Sequence, residues 1–264
     1  MARGKKIEGN CYICGDNGPL TFEHVPPRAA FNDRPIIRGK FEDAINLGPE
    51  PLIKGKKEQR GLGDYTLCGR CNTTTGDWYA SDFIEWTFQG YQLLDCSEGV
   101  LTLAYPFQIF PLRVIKQIVT MFFSVNGPTF RESHPDLVRF VLNKERKYLD
   151  PKISIYTYLM SEGSAIREMG ITGTGIFKED KMIQTSVLSE LSFPPLGYVM
   201  TFGTNPPDER LVEISHFSRY DYNDWRIMFL KIPALPVHMH IPGDYRTKKE
   251  IVEDYLKNIE LESK

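Results

Sequence analysis

Cys11 and Cys14 form one Cys-x-x-Cys pair, CYIC, and Cys68 and Cys71 form a second, CGRC. Two such turns brought together offer four thiolates in the tetrahedral sulfur shell that zinc prefers. Outside an oxidising compartment, paired cysteines at this spacing read as a metal site rather than as disulfides. The fifth cysteine, Cys96 in LLDCSEG, has no partner near it and is expected to be a free, buried thiol. Between the pairs lies TFEHVPP, in which Glu23 directly precedes His24. An imidazole titrates near neutral pH and can take a proton from water. Asn72 stands directly after Cys71. Each residue also has a plainer role open to it. His24 could be an ordinary loop histidine, and Asn72 a helix N-cap.

Taken together, CYIC, LTFEHVPP and TLCGRCNTTTG resemble the zinc-stapled branch of the HNH, or ββα-metal, endonucleases. The resemblance covers residues 1–80 of the 264. It implies a treble-clef-like module with structural Zn²⁺ on Cys11, Cys14, Cys68 and Cys71. It implies His24 as general base, and Glu23 and Asn72 as ligands of a catalytic Mg²⁺ or Mn²⁺. The implied activity is hydrolysis of DNA phosphodiester bonds, with RNA as the other candidate, leaving a 5′-phosphate. One centre cuts one strand, so a homodimer is a natural working form. The family's pattern has an asparagine shortly before the second cysteine pair, where it orients the base histidine. This chain reads RGLGDYTLC there, and Asp64 is the expected substitute, unless it is only a turn residue. Neighbouring side chains on a strand point opposite ways. Glu23 and His24 can therefore share a site only if the chain twists or bulges there.

A formal net charge of −2 gives no sign of a nucleic-acid partner, so any such surface must be local. Lys54, Lys56, Lys57 and Arg60 form a basic run between the cysteine pairs, with Arg28, Arg34, Arg38 and Lys40 ahead of it. These are expected to contact phosphates without reading sequence, though such a run can equally be a solvated loop.

The elements that must position these groups follow from the pattern. The expected fold class is α+β, with a zinc-stapled module over 1–95 and an α+β domain with a mostly antiparallel sheet over 96–264. A segment as poor in apolar runs as the first needs a metal staple. Residues 29–64 read as a loop-rich insertion with short strands at most. The spacing of Val114, Ile118, Met121 and Phe122 after Pro111 predicts a helix, and Pro135 opens another. Seven strand-like runs follow: ISIYTYLM, REMGITGTGIF, MIQTSVLSELSF, GYVMTFG, RLVEISHF, RIMFLKI and PVHMHI. Thr247 and Glu250 make a capping box for a last helix. The second region carries no recognised catalytic motif. His238 and His240 alternate but lack a third ligand. Substrate recognition, dimerisation and regulation all remain open for this region. No apolar run approaches the ~20 residues that span a bilayer, and MARGKKIEGN does not read as a signal peptide. A cytoplasmic protein without a membrane partner is expected. The alternative to a nuclease is a non-catalytic zinc module that binds nucleic acid or a protein. A zinc-stapled scaffold working through its C-terminal sheet is a third option.

Overall fold

The computed structural model describes residues 6–39, 55–97, 104–160, 164–178, 181–238 and 241–262. Lys40, Lys54 and His240, named above, lie outside them. The chain mixes helices with mostly antiparallel strands, as expected. Strand β1 (Glu8–Asn10) pairs with β2 (Asn17–His24). A small separate hairpin, β3 (Ile36–Arg38) with β4 (Lys56–Glu58), accounts for the short strands of the insertion. Strand β5 (Gly63–Cys68) returns to the other edge of β2, giving the order β1-β2-β5. Between Thr21 and Phe22 the β2–β5 register shifts, while Glu23 and His24 themselves pair in regular register with Asp64 and Gly63.

From Cys68 the chain turns directly into α1 (Gly69–Thr75), widens into a π turn over Gly76–Ala80, and continues as α2 (Ser81–Ser97). Tyr79 is fully buried and donates its hydroxyl to Val141 O at 2.8 Å. Cys96, on the last turn of α2, is exposed rather than buried. It falls on the polar face of an amphipathic helix whose inner face carries Phe83, Trp86 and Leu93. Strand β6 (Tyr105–Ile109) leads into α3 (Pro111–Asn126), which is buried all round from Val114 to Phe123. A helix without a solvent face belongs at the centre of a molecule, and α3 packs against α2, the π turn and the main sheet. Its polar residues need partners there. Lys116 Nζ donates to Phe140 O and Asn143 O, both at 2.6 Å. Those carbonyls lie at the end of α5 (Pro135–Leu142), which follows the single turn α4 (Phe130–Ser133). That helix, opened by Pro135 as expected, stops where Asn143 turns extended.

The large sheet holds β7 (Ile153–Met160), β8 (Arg167–Lys178), β9 (Lys181–Phe193), β10 (Leu196–Phe202) and β11 (Val212–Glu213) in the order β11-β7-β10-β9-β8. Alternation along β7 sends Ile153, Ile155 and Leu159 into the cluster shared with α2 and α3. It sends Tyr156, Tyr158 and Met160 to the opposite face, under Leu211, Leu235, Val237 and Tyr245. Two predicted strands are much shorter than their apolar runs. RLVEISHF gives only β11 before a 3₁₀ turn, Ser215–Arg219. After β12 (Arg226–Leu230), which pairs with β6, β13 (Ala234–Leu235) pairs with β7, and residues 236–238, the described start of PVHMHI, form no strand. Pro233 and Pro236 bracket β13 and remove ladder donors on both sides. Helix α6 (Lys248–Glu262) closes the chain with its capping box made: Thr247 N donates to Glu250 Oε2 at 2.7 Å, and Glu250 N to Thr247 Oγ1 at 3.3 Å.

On that second face Glu190 is fully buried and meets Arg167 Nη1 at 2.7 Å, with donors from Tyr245, Tyr158, Ser192 and Gly243 N completing its shell. A buried ion pair satisfied this fully fixes one arrangement of the 243–245 turn over the sheet. One contiguous buried cluster takes in Cys11, Leu67 and Phe83 as well as Ile118, Phe140 and Met200, so residues on both sides of position 95 share a core. Among the described residues no helix is long and apolar enough to cross a membrane.

Candidate metal and catalytic site

The sulfurs of Cys11, Cys14, Cys68 and Cys71 all lie within 4.8 Å of one another, close enough to hold one metal ion. Local structure places each pair. Gly15, at φ +80°, closes the first turn with its N–H on Cys11 O at 2.9 Å. That left-handed conformation favours glycine. The second pair straddles the start of α1: Cys68 is the N-cap, and its sulfur accepts from Cys71 N at 3.5 Å. The N-cap role considered for Asn72 is therefore taken by a cysteine. Hydrogen bonding from the Cys71 sulfur holds the Cys11 thiol well below its usual range. Burial pushes Cys14 up, and the bond to Cys11 pushes Cys71 up. Four thiols this close cannot all ionise by themselves, whereas a Zn²⁺ ion would let all four become thiolates.

The sulfur cluster ties the β2–β5 pair to α1, and beyond it these elements enclose a cavity of about 180 Å³. Glu23, His24 and Asn72 all line it, with Phe22, Pro27, Arg28, Gly76, Ala80 and Gln117. Three residues chosen from sequence thus share one cavity. Glu23 is 7% exposed, and burial alone pushes its carboxyl up to about 8. Asn72 Nδ2 donates to Thr21 Oγ1 at 2.9 Å, and that hydroxyl donates to Leu67 O at 2.9 Å. The amide is thereby oriented, with Oδ1 left over for another partner.

His24 Nε2 lies 3.0 Å from Arg60 O. A carbonyl only accepts, so Nε2 carries the proton and the neutral ring keeps Nδ1 as an acceptor. Phe22 packs edge-on against the ring at 4.9 Å. Burial, then the charges of Arg28 and Arg60, lower the His24 pKa, against the opposing pull of the Arg60 carbonyl. The ring is accordingly neutral, and able to accept a proton, near pH 7.

Asp64 does not orient this histidine. Its Oδ1 accepts from Tyr65 N at 2.8 Å, its Oδ2 faces Arg38 at 3.7 Å, and its side chain is 62% exposed. Arg60 is the orienting residue instead, acting through its backbone. The turn that presents this carbonyl is held by Asn32, a fully buried residue that sequence reasoning missed. Asn32 Nδ2 donates to Pro26 O and Leu62 O, and Leu62 N donates to Asn32 Oδ1, each at 2.7 Å. Gly61, at φ +81°, lets the turn close over it, since a Cβ would stand 2.3 Å from Asn32 Oδ1. Replacing Asn32 with alanine is expected to cost about 2–4 kcal/mol, because buried backbone groups lose their partners. Denaturant unfolding of the two proteins side by side measures it.

Of the basic run, Lys56 sits on the exposed hairpin with Glu58 at 3.1 Å, and Lys57 is exposed beside it. Arg38 bridges the hairpin to Glu168 at 2.8 Å. Arg28 and Arg60 are the cations near His24. Asp77 is exposed on the π turn. Compared with known proteins, the chain matches no family model, no curated protein and no solved structure.

Proposed function

We propose that this protein is a metal-dependent endonuclease of the HNH, or ββα-metal, type, acting on DNA from the cytoplasm. The supporting observation is the cavity that Glu23, His24 and Asn72 share beside the four-cysteine cluster. In this reading β2, β5 and α1 are the ββα unit, in a treble-clef-like arrangement, and Zn²⁺ on the four cysteines is its staple. The donor set fits a hard cation: a buried carboxylate with no charge partner acting on it, and a neutral amide oxygen. Glu23 and Asn72 would hold Mg²⁺ or Mn²⁺. When bound, that cation supplies charge stabilisation at the scissile phosphate and the departing oxygen.

The chain's own groups do the rest. His24 takes a proton from water at Nδ1, while the Arg60 carbonyl keeps Nε2 protonated and the ring fixed. The hydroxide then attacks phosphorus as the P–O3′ bond breaks, leaving a 5′-phosphate and a 3′-oxygen that takes its proton from solvent water. Arg28 and Arg60 favour a phosphate at the cavity mouth, and Lys56 and Lys57 extend the contact along the backbone. Two strand cuts would come from two copies of the chain.

Incubation of the zinc-loaded protein with supercoiled plasmid tests this. Mg²⁺ or Mn²⁺ is expected to yield nicked circles, EDTA to stop the reaction, and restored Mg²⁺ to revive it. Plasmid left intact with every divalent cation, yet bound in a salt-dependent way, would replace the nuclease with a binding module.

A further inference from the structure

Gln117 lines the same cavity from a direction the cysteine-rich segment does not supply. It sits in the middle of α3, 2% exposed, flanked by Lys116 and Ile118. Its side-chain oxygen Oε1 is buried and has no hydrogen-bond partner among the described residues. A buried amide oxygen left so costs about 1–3 kcal/mol, and such atoms in a native protein call for a cause. Packing does not supply one. Leucine or methionine at this position would fill a wholly buried helix face without a polar atom to satisfy.

The same cavity is lined by Glu23, whose carboxyl is buried, and by Asn72, whose Nδ2 donates to Thr21 Oγ1. We infer that Gln117 is a third protein ligand of the divalent cation, presenting Oε1 alongside Glu23 and Asn72. The inference rests on the proposed nuclease site. The set then holds one carboxylate and two neutral carbonyl oxygens, leaving positions for water and a substrate phosphate. That mixture suits Mg²⁺ and Mn²⁺, which dehydrate reluctantly and keep several waters. The site is then complete only when α3 is docked on the π turn. The shared core across position 95 becomes part of the chemistry.

Mn²⁺ affinity of the full-length, zinc-loaded protein is the test, measured by electron paramagnetic resonance without substrate, with zinc content followed in each sample. Gln117→Leu is expected to weaken Mn²⁺ binding about tenfold or more, as altered metal surroundings do. Gln117→Glu, which keeps an oxygen and adds charge, is expected to bind at least as tightly as the parent. Glu23→Gln reports on the site itself. If Glu23→Gln weakens Mn²⁺ and Gln117→Leu does not, the third-ligand assignment fails while the nuclease site stands. If neither changes the affinity, both fall. Should Gln117→Leu fold poorly, the Gln117→Glu comparison decides: weaker binding with an intact unfolding transition overturns the assignment.

Discussion

His24→Ala is expected to abolish Mg²⁺-dependent plasmid cleavage, a loss of at least 10²–10⁴-fold if His24 is the general base. The same change should leave zinc content and the unfolding transition nearly unaltered. The difference follows from where the ring stands. It lines a cavity, and its bonded nitrogen meets a backbone carbonyl, so truncation lets water reach both. The main packing lost is the edge contact with Phe22, whose ring keeps Tyr65 at 5.5 Å. The truncation also leaves room, which suggests a sharper readout: added imidazole should restore part of the activity to His24→Ala and none to Glu23→Gln. Unchanged cleavage by His24→Ala would remove the catalytic assignment. Equal loss of cleavage and of zinc would show that the histidine holds the fold rather than the proton.

How far this site was legible in the sequence depends on what kind of group does each job. The cysteine pairs declare themselves because thiolate ligands must be cysteines and their turns fix the spacing. Glu23 and Asn72 were singled out only through the resemblance to the HNH pattern, and the structure places both on the lining of one cavity. The group that orients His24 was not legible, because a carbonyl is common to every residue. Arg60 reads in the sequence as one more cation in a basic run, and only the turn conformation turns its oxygen toward the ring. Asn32 was hidden differently. Its amide bonds to backbone at Pro26 and Leu62, and that closure depends on how the loops meet. Gln117 carried a weak signal, standing beside Lys116 within the mostly apolar middle of α3. The helical period identified α3, but it did not show that the helix is enclosed on every side. The same limit shortened the strands near Pro233 and Pro236, where apolar residues cover the sheet without joining it. Cys96 was misjudged because a thiol's usual burial says nothing about which helix face it occupies.

Cys68→Ser is expected to have the largest effect on stability. Cys68 supplies one of the four sulfurs, ends β5, and caps α1 by accepting from Cys71 N. Serine could keep a cap but is a poor zinc ligand, so the change separates the two roles. Structural zinc contributes apparent binding energy on the order of 10 kcal/mol, against a whole-protein stability of about 5–15 kcal/mol. The β1-β2-β5 sheet has little else to hold it: Ile13, Val25, Leu62 and Leu67 are its main buried apolar side chains beside the cysteines. Metal analysis should therefore fall from one zinc per chain to none. Unfolding should split, with the cysteine-rich segment lost first and the α3-centred core melting later. Cleavage should disappear with the first transition, since Glu23 and His24 sit on β2 and Asn72 on α1, and the sulfur cluster joins those two elements. Hydrogen exchange resolves the order, with amides of β2 and β5 expected to lose protection while those of α3 and β10 keep theirs. A Cys68→Ser protein that retains stoichiometric zinc and a single unchanged transition would refute the staple and leave the cavity to be held by packing alone.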